Sequence, residues 1–261
     1  KPSIVKDGST YKMWYTGNDG SNSRIYYATS PDGSTWTKYD NSIPTNSNTS
    51  STNGRVPLGT SGGDASNIVY FNVIEDGSTY KMWYTGISGA TYGIYYATSP
   101  DGLTWTKYNN TIESSSNTTG TNGRLPLGTS GGDYNFILSP NVIKDGSVYK
   151  MWYQGFDVST SRLYYATSPD GLTWTKYNNV VEAASNTVGT NGRLPIGLDG
   201  TGDDGVDSGY FDTMKDGSTY KIWYAGYDGA TYRIYYATLE TGATSTTALS
   251  TSGWNHLTGV V

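Results

Sequence analysis

The chain of 261 residues contains no cysteine, which excludes disulfides, thiolate metal sites and cysteine nucleophiles together. A single histidine argues against a Ser-His-Asp mechanism. The net charge of −5 argues against nucleic acid as a partner, because phosphate binding requires a basic face. No run of 18 apolar residues occurs, so no segment is predicted to span a membrane.

Aromatic residues are abundant in the chain, and aliphatic residues are scarce. The chain has 25 Tyr and 8 Trp, while its hydrophobic share is only 35%. Each aromatic side chain can bury roughly 150–250 Å². We therefore predict an aromatic core, and the Ser, Thr, Asn and Gly content is typical of secreted or surface-displayed β proteins.

Four near-copies of one segment make up the chain. Near-copies of the phrase Asp-Gly-Ser-Thr-Tyr-Lys-Met-Trp-Tyr-Thr-Gly surround Trp14, Trp83, Trp152 and Trp223, at spacings of 69, 69 and 71 residues. A fixed period of this size marks a solenoid or a propeller. We predict a single domain over 1–261, divided into repeats 1–69, 70–138, 139–209 and 210–261. The Lys1-Pro2 opening suggests a product of a longer precursor.

Each repeat reads as a four-stranded antiparallel meander. In the third copy, Asp145-Gly146 supplies a tight turn, an alternating strand follows, and a Ser-Pro-Asp-Gly turn precedes Trp174. Such a meander is the blade of a β-propeller, so the prediction is an all-β propeller of four or five blades. In the fourth copy the outer strand is expected from Gly253 to His256. The variable loops and long links at the other blade end mark the functional face.

The blade motifs resemble a known glycosidase superfamily. The strings x-Pro-x-Val-Ile-Lys-Asp-Gly, Tyr-Lys-Met-Trp-Tyr-Thr-Gly and Tyr-Tyr-Ala-Thr-Ser-Pro-Asp-Gly-Leu-Thr-Trp are similar to those of the five-bladed arabinanase, β-xylosidase and invertase propellers. The resemblance implies glycoside cleavage by carboxylates at the start of innermost strands. The Ser-Pro-Asp-Gly element also looks like the Asp-box of sialidases, and its Asp is expected to cap a turn.

The carboxylates implied by the resemblance are not matched. The residue before the proline is Lys1 in the first copy and Ser139 in the third, and the other copies have Tyr70-Phe71 and Tyr210-Phe211. Two residues further on stand Ser3, Asn72, Asn141 and Asp212, of which only the last ionises. The chain has four Glu, and Glu113 and Glu182 are equivalent to each other, whereas a catalytic Glu is normally unique. If the chain is an enzyme, Asp212 and Asp204 are the expected catalytic carboxylates.

The links between blades repeat Asn-Gly-Arg-x-Pro and then a Gly-rich stretch that ends in Asp. One interpretation is structural: the Arg pins the link onto the neighbouring blade and the Asp caps a turn. A second is a set of repeated sugar sites. A third is Ca²⁺ held by carboxylates and Gly carbonyls. The expected metal ligands are Asp203, Asp204, Asp207 and Asp212.

We predict a non-catalytic, secreted or cell-surface propeller that binds carbohydrate through its top-face loops, with no obligatory cofactor. The alternatives are a glycoside hydrolase of the arabinanase or xylosidase type, and a structural surface or assembly module. Self-association, or a further blade from missing precursor sequence, is a further expectation. The side chains predicted to bind ligand are Asp64, Asp133, Asp204, Asn72, Asn141, Arg55, Arg124, Arg193, Tyr92, Phe156, Tyr227 and Tyr232.

Overall fold

A computed structural model describes residues 1–40, 42–108, 111–112, 114–116, 118–156, 158, 161–177, 207–227, 232–240 and 255–257. These residues form four antiparallel sheets arranged as a four-bladed β-propeller. The predicted all-β propeller is confirmed. The described residues contain no helix with the length and hydropathy that crossing a bilayer requires.

Each blade is a meander whose first strand is innermost. Blade 1 comprises β1 (Ser3–Asp7), β2 (Thr10–Asn18), β3 (Ser23–Ser30) and β4 (Thr37–Lys38). The link strand β5 (Ser50–Ser51) precedes blade 2, which comprises β6 (Asn67–Asp76), β7 (Thr79–Ser88), β8 (Thr91–Ser99) and β9 (Trp105–Tyr108). In the sheet of blade 2, β5 pairs with β9 on the outer side.

The second half of the chain repeats this plan. The link strand β10 (Thr119–Gly120) precedes blade 3, which comprises β11 (Phe136–Asp145), β12 (Val148–Phe156), β13 (Ser161–Ser168) and β14 (Trp174–Lys176). Blade 4 comprises β15 (Asp207–Asp216), β16 (Thr219–Tyr227), β17 (Tyr232–Glu240) and β18 (Asn255–Leu257). The strand β18 confirms the outer strand predicted near the C-terminus, and Gly253 and Trp254 lie outside the described residues.

The two tight turns of each blade form as their sequences predict. Gly8 and Gly146 adopt left-handed φ angles of 58° and 60° in the Asp-Gly turns. In the Ser-Pro-Asp-Gly turn of blade 2, Asp101 accepts hydrogen bonds of 2.7 Å from the backbone nitrogens of both Leu103 and Thr104. The predicted turn-capping role of this Asp is confirmed.

The core lies in the three seams between consecutive blades. At the first seam Trp14 of blade 1 is fully buried and packs edge-on against Trp105 of blade 2, with ring centroids 5.7 Å apart. Trp83 and Trp174 repeat this contact at 5.8 Å between blades 2 and 3. Each seam buries one such inner Trp against the tyrosines and Met or Ile of the next blade. The predicted aromatic core is therefore confirmed.

Candidate functional site

The inner strands share a backbone irregularity where they enter the channel from the long links. Their pairing register shifts between Val69 and Phe71, between Leu138 and Asn141, and between Ser208 and Phe211. Tyr70 and Ser139 lie at these shifts with left-handed φ angles of 39° and 55°. Such a conformation costs a non-glycine residue on the order of 1–3 kcal/mol and concentrates at functional sites. The backbone strain therefore indicates a functional site at the channel mouth.

A pocket opens at this mouth and receives side chains from all four blades. It is lined by Lys1, Tyr70, Phe71, Ser139, Pro140, Tyr210 and Phe211. The hydroxyls of Tyr70 and Tyr210 are 3.1 Å apart, so blades 2 and 4 meet across the channel. Desolvation and the hydrogen bond with Tyr210 raise the pKa of Tyr70 to about 12. The Tyr70 phenol is therefore a neutral hydrogen-bonding group at ordinary pH.

Asp212 lies beside this pocket together with a cation. The Lys1 Nζ is 3.0 Å from Asp212 Oδ1 and donates a hydrogen bond of 2.8 Å to the Phe211 carbonyl. The amide of Asn141 also donates to Asp212 Oδ1. The Asp212 side chain is nevertheless 66% exposed. An accessible, oriented carboxylate paired with an ammonium group at the edge of a pocket that two phenols line is equipped to bind hydroxyl groups.

The residues equivalent to Asp212 in the other blades join neighbouring inner strands. The Val73 nitrogen donates to Ser3 Oγ at 2.9 Å, and the Val142 nitrogen donates to Asn72 Oδ1 at 3.0 Å. Asn141 is 2% exposed and bonds to blade 4 through Asp212 and Thr213. These contacts hold adjacent blades together through both amide atoms of Asn141 and the amide oxygen of Asn72. The ligand-binding role predicted for Asn72 and Asn141 remains a prediction.

Asp64 and Asp133 are also structural. Both are fully buried, and the Lys107 Nζ is 3.0 Å from Asp64 Oδ2, as the Lys176 Nζ is from Asp133 Oδ2. The hydroxyl of Tyr84 donates to Asp64 Oδ2 at 3.0 Å. A side chain with no exposed surface is not accessible to a ligand, so the ligand-binding role predicted for both carboxylates is not supported: each inserts from a link into the following blade and neutralises that blade's buried lysine.

The arginines of the links bind the links themselves. The Arg55 Nη1 donates to the Ser42 carbonyl at 2.8 Å, and the Arg124 Nη1 donates to the Thr111 carbonyl at 2.6 Å. Asn53 and Gly54 form the turn before Arg55, with φ angles of 57° and 70°. The Arg55 Nη1 also lies 3.7 Å from Asp40 Oδ2, directly after the last strand of blade 1. The ligand-binding role predicted for Arg55 and Arg124 remains a prediction. Arg193 lies outside the described residues.

The variable loops place aromatic rings at the same end of the blades. Tyr92 lies 5.1 Å from Phe136, which stacks on Phe156 at 4.4 Å with an interplanar angle of 17°. Tyr92 and Phe156, both predicted to bind ligand, thus contact the same ring, that of Phe136, which was not among the predicted residues. Tyr232 is 62% exposed. The side chain of Tyr227 is outside the described residues, so its predicted role remains a prediction.

The predicted Ca²⁺ site falls largely outside the described residues. Asp203 and Asp204 lie there, as do Glu113 and Glu182, and only the backbone of Asp207 is described. The remaining expected ligand, Asp212, contacts Lys1. Within the described part of the chain, no group of three or more His, Asp or Glu residues is placed to hold a metal ion. A Ca²⁺ site at these residues remains a prediction.

Sequence reasoning found Asp212 but missed most of its surroundings. It identified Lys1, Tyr70, Ser139 and Tyr210 only as positions where the expected Asp is absent. The available signal was that this aligned position reads Lys, Tyr, Ser and Tyr in the four copies, whereas the Asp-Gly turn at the other end of the same strand repeats in all of them. Residues that vary within a repeated frame are the ones that an asymmetric site would use.

Comparison with other sequences gives partial matches. No family model matches the chain. The Mycobacterium tuberculosis proteins Rv1502 and MT1551, both named as uncharacterized, are each 40% identical over 118 residues. These matches cover 42% of this chain and 34% of each relative. The chain thus matches about a third of the length of these curated relatives.

Comparison with solved structures covers nearly the whole chain. The Bombyx mori GH32 β-fructofuranosidase BmSUC1 matches 98% of this chain and 49% of its own, with a TM-score of 0.59 and 13% identity. A thermostable family-43 glycoside hydrolase matches 99% and 71%, with a TM-score of 0.56 and 13% identity. A putative glycosidase from Bacteroides thetaiotaomicron matches 98% of this chain and 71% of its own, with a TM-score of 0.61 and 15% identity.

The fold is that of glycoside hydrolase propellers. Further structures similar to this chain include a family 117 glycoside hydrolase of Zobellia galactanivorans, with a TM-score of 0.60 and 13% identity. Identities this low show a shared fold alone. The resemblance read from the blade motifs is confirmed at that level.

Proposed function

We propose that this chain is a glycoside hydrolase-like protein that binds a carbohydrate at the mouth of its central channel. The observation that carries the proposal is the exposed Asp212 carboxylate, held by Asn141 and by Lys1, which lines the channel pocket together with Tyr70 and Tyr210. Carboxylates, amines and phenols supply the paired hydrogen bonds that sugar hydroxyls take, and aromatic rings supply faces for stacking. Similarity to glycoside hydrolase propellers in fold supports a sugar as the ligand.

The reaction we propose is cleavage of a glycosidic bond, with Asp212 as one of the two carboxyl groups required. Asp212 lies in the inner strand β15 directly after its register shift, where Lys1 and Asn141 donate to its Oδ1 and orient it. Asp204 remains the sequence-based candidate for the second carboxyl group. Secretion or surface display also remains a proposal, and it rests on composition.

The test uses two aspartates of the strand β15, one in its middle and one at its end. Asp212→Asn removes the carboxylate at the channel mouth, and Asp216→Asn is the matched control at the turn end. Aryl arabinosides, aryl xylosides and sucrose would be the substrates. We expect turnover that Asp212→Asn lowers by about 10²–10⁴-fold, the range for a lost acid or base, while Asp216→Asn leaves it near wild type. Equal turnover in all three proteins would reject Asp212 as a catalytic group.

A second candidate function is carbohydrate binding without turnover. It is favoured by the finding that, in the described residues, Asp212 is the one exposed carboxylate in contact with the residues lining the channel pocket. A glycan array on the same three proteins separates the two functions. Binding that Asp212→Asn abolishes, with no turnover in the wild type, would establish this candidate. An array without binding, together with no turnover, would contradict both.

A further inference from the structure

An ion pair at the start of the third strand is missing from one blade. In blade 1, Arg24 is almost fully buried and pairs with Asp19, which lies in the loop before β3. The sequence has the same two residue types at the same spacing in blades 3 and 4, as Asp157 with Arg162 and Asp228 with Arg233. In blade 2 the two positions hold Ser88 and Gly93. Both charges of the pair are therefore replaced together in this blade.

A pocket opens at Gly93. We call it the blade 2 pocket, and it is lined by residues 91–95 of β8 and by Ile112, Leu125, Pro126 and Leu127 of the following link. The link lies against β8, because the Leu125 nitrogen donates to the Ile94 carbonyl at 3.2 Å. The link of blade 1 docks on β3 in the same way, but there Arg24 stands at the position of Gly93. The missing arginine side chain thus accounts for open space in blade 2.

The lining of the blade 2 pocket favours an uncharged, apolar ligand. None of the described residues that line it carries a charge, and most of them are aliphatic. Its polar side chains are those of Thr91, Tyr92 and Tyr95. A sugar ring would bring several hydroxyls against aliphatic walls, and burying a hydroxyl without a hydrogen-bond partner is unfavourable. An aromatic ring has no such cost and buries a large apolar area.

The blade 2 pocket is separate from the channel mouth but opens on the same face of the propeller. Tyr92 contacts the ring of Phe136 at 5.1 Å, and Phe136 begins the inner strand β11. Ser139 of that strand lines the channel pocket. At about 3.3 Å per residue, Phe136 and Ser139 lie roughly 10 Å apart along the strand. A ligand in the blade 2 pocket therefore need not touch Asp212.

We propose that the blade 2 pocket binds an uncharged aromatic ring, which packs on the Tyr92 ring and on the aliphatic side chains of the link. Aromatic pairs prefer tilted and offset arrangements, and Tyr92 already makes a tilted one with Phe136 at an interplanar angle of 38°. This site goes beyond the carbohydrate site at the channel mouth, and its ligand is of a different chemical class.

The test follows isoleucine methyl groups by NMR while benzyl alcohol is added. Ile94 and Ile112 line the blade 2 pocket, and their equivalents in blade 1, Ile25 and Ile43, are the internal control. We expect saturable methyl shifts at Ile94 and Ile112 with a dissociation constant on the order of 1 mM, which is typical of a ligand of this size. Absence of saturable shifts at these two methyls, or equal shifts in blade 1, would overturn the proposal.

The matched variant rebuilds the missing ion pair. Ser88→Asp with Gly93→Arg copies the loop of blade 1, which has the same length. Gly93 is not in the left-handed region, and an added Cβ would lie 3.0 Å from the Tyr95 ring, which a small shift of that ring relieves. We expect the variant to keep its melting temperature and to lose the saturable shifts. Unchanged binding in this variant would overturn the assignment of the pocket.

A second variant leaves Gly93 untouched. Tyr92→Ser introduces the residue that blade 1 has at this position, Ser23, and removes the ring on which the ligand is proposed to pack. We expect it to weaken the binding of benzyl alcohol while the melting temperature stays near that of the wild type. Binding as tight as in the wild type would contradict the role of the Tyr92 ring.

Other probes test the class of ligand. Because the pocket has lost both charges, benzoate and protonated benzylamine should each bind more weakly than benzyl alcohol. Methyl arabinoside should not shift the Ile94 and Ile112 methyls. If it shifts them and benzyl alcohol does not, the aromatic ligand is overturned in favour of a sugar. All of these readouts measure binding in blade 2 alone, so they are independent of any turnover at the channel mouth.

Discussion

Blades 2 and 3 are covered on both faces, whereas blades 1 and 4 each have one open face, although the four blades are built from near-identical strands. Trp152 and Trp223 both follow a Tyr-Lys pair in the second strand, yet the first is fully buried and the second is 38% exposed. The side chain is the same in both places and the neighbouring blade differs. In such a repeat protein, each blade's stability depends on its contacts with the blades beside it.

The buried lysines give the strongest test of this comparison. Lys107→Met removes the ammonium group that neutralises the buried Asp64 carboxylate, so we expect the free energy of unfolding to fall by about 3–5 kcal/mol. Lys38→Met, at the exposed equivalent, should change it by less than about 0.5 kcal/mol. Urea unfolding of both variants measures the difference. Equal losses would mean that the pair in blade 2 contributes no more than a surface lysine.

A second pair of variants compares the inner tryptophans. Trp152→Ala opens a cavity between blades 3 and 4, and we expect it to cost about 3–5 kcal/mol. Trp223→Ala removes a side chain that is already partly hydrated, so its cost should be about 2 kcal/mol smaller. The same urea titrations give both values. A larger loss for Trp223 would show that the seam between blades 4 and 1 is closed in solution.

The tyrosine clusters allow a finer comparison. The hydroxyl of Tyr149 donates to Asp76 across a seam and accepts from Lys81 at 2.6 Å. Because hydrogen bonds to charged groups contribute about 1.5–3 kcal/mol, Tyr149→Phe should lower the unfolding free energy by about that amount. In the described residues no carboxylate accepts from Tyr11, so Tyr11→Phe should cost less than about 0.5 kcal/mol. Differential scanning calorimetry of the two variants measures both losses of stability. A larger loss for Tyr11→Phe than for Tyr149→Phe would contradict the prediction.

The smallest effect we predict is on the acid side of the pH profile. Partial burial raises the pKa of Asp76, but hydrogen bonds from Lys144, Lys81 and Tyr149 outweigh it and hold the pKa well below its usual range. A lowered pKa contributes stability that is complete above the unfolded value of about 3.9 and is lost as pH falls toward the folded value. The urea midpoint should therefore decline below about pH 4, and Asp76→Asn should flatten that decline. If the urea midpoint of Asp76→Asn declines with pH as steeply as that of the wild type, other carboxylates are responsible for the acid sensitivity.

Local features of this fold could be predicted from the sequence because they depend on neighbouring residues. The Asp145-Gly146 turn, the alternation around Trp152 and the capping role of Asp101 are set within a few positions, and the structure confirms them. The repeat period then extends one blade to four. The burial of side chains at the seam between blades 4 and 1 could not be predicted from neighbouring residues, because it depends on whether another blade covers them.

The candidate site was less predictable for a related reason. Asp64 reads as a surface carboxylate in a Gly-rich stretch, and the lysine that buries it comes 43 residues later, in the outer strand of the next blade. Asn72 likewise finds its partner in a different repeat, 70 residues away. Asp212 was identified because it alone ionises in its register. Its contact with Lys1 joins blade 4 to the beginning of blade 1, and no local sequence pattern predicts that contact.

The buried Asp–Lys pair has a consequence for how the chain is made. The carboxylate belongs to the link before a blade and the lysine to the last strand of that blade, so the pair cannot form until the whole blade has left the ribosome. Each blade of a nascent chain should close onto the link before it, in order from the N-terminus. Arrest-peptide measurements of pulling force should then show a release of tension shortly after Lys107 and again after Lys176 emerge from the exit tunnel. Lys107→Met should abolish the first of these signals and leave the second in place.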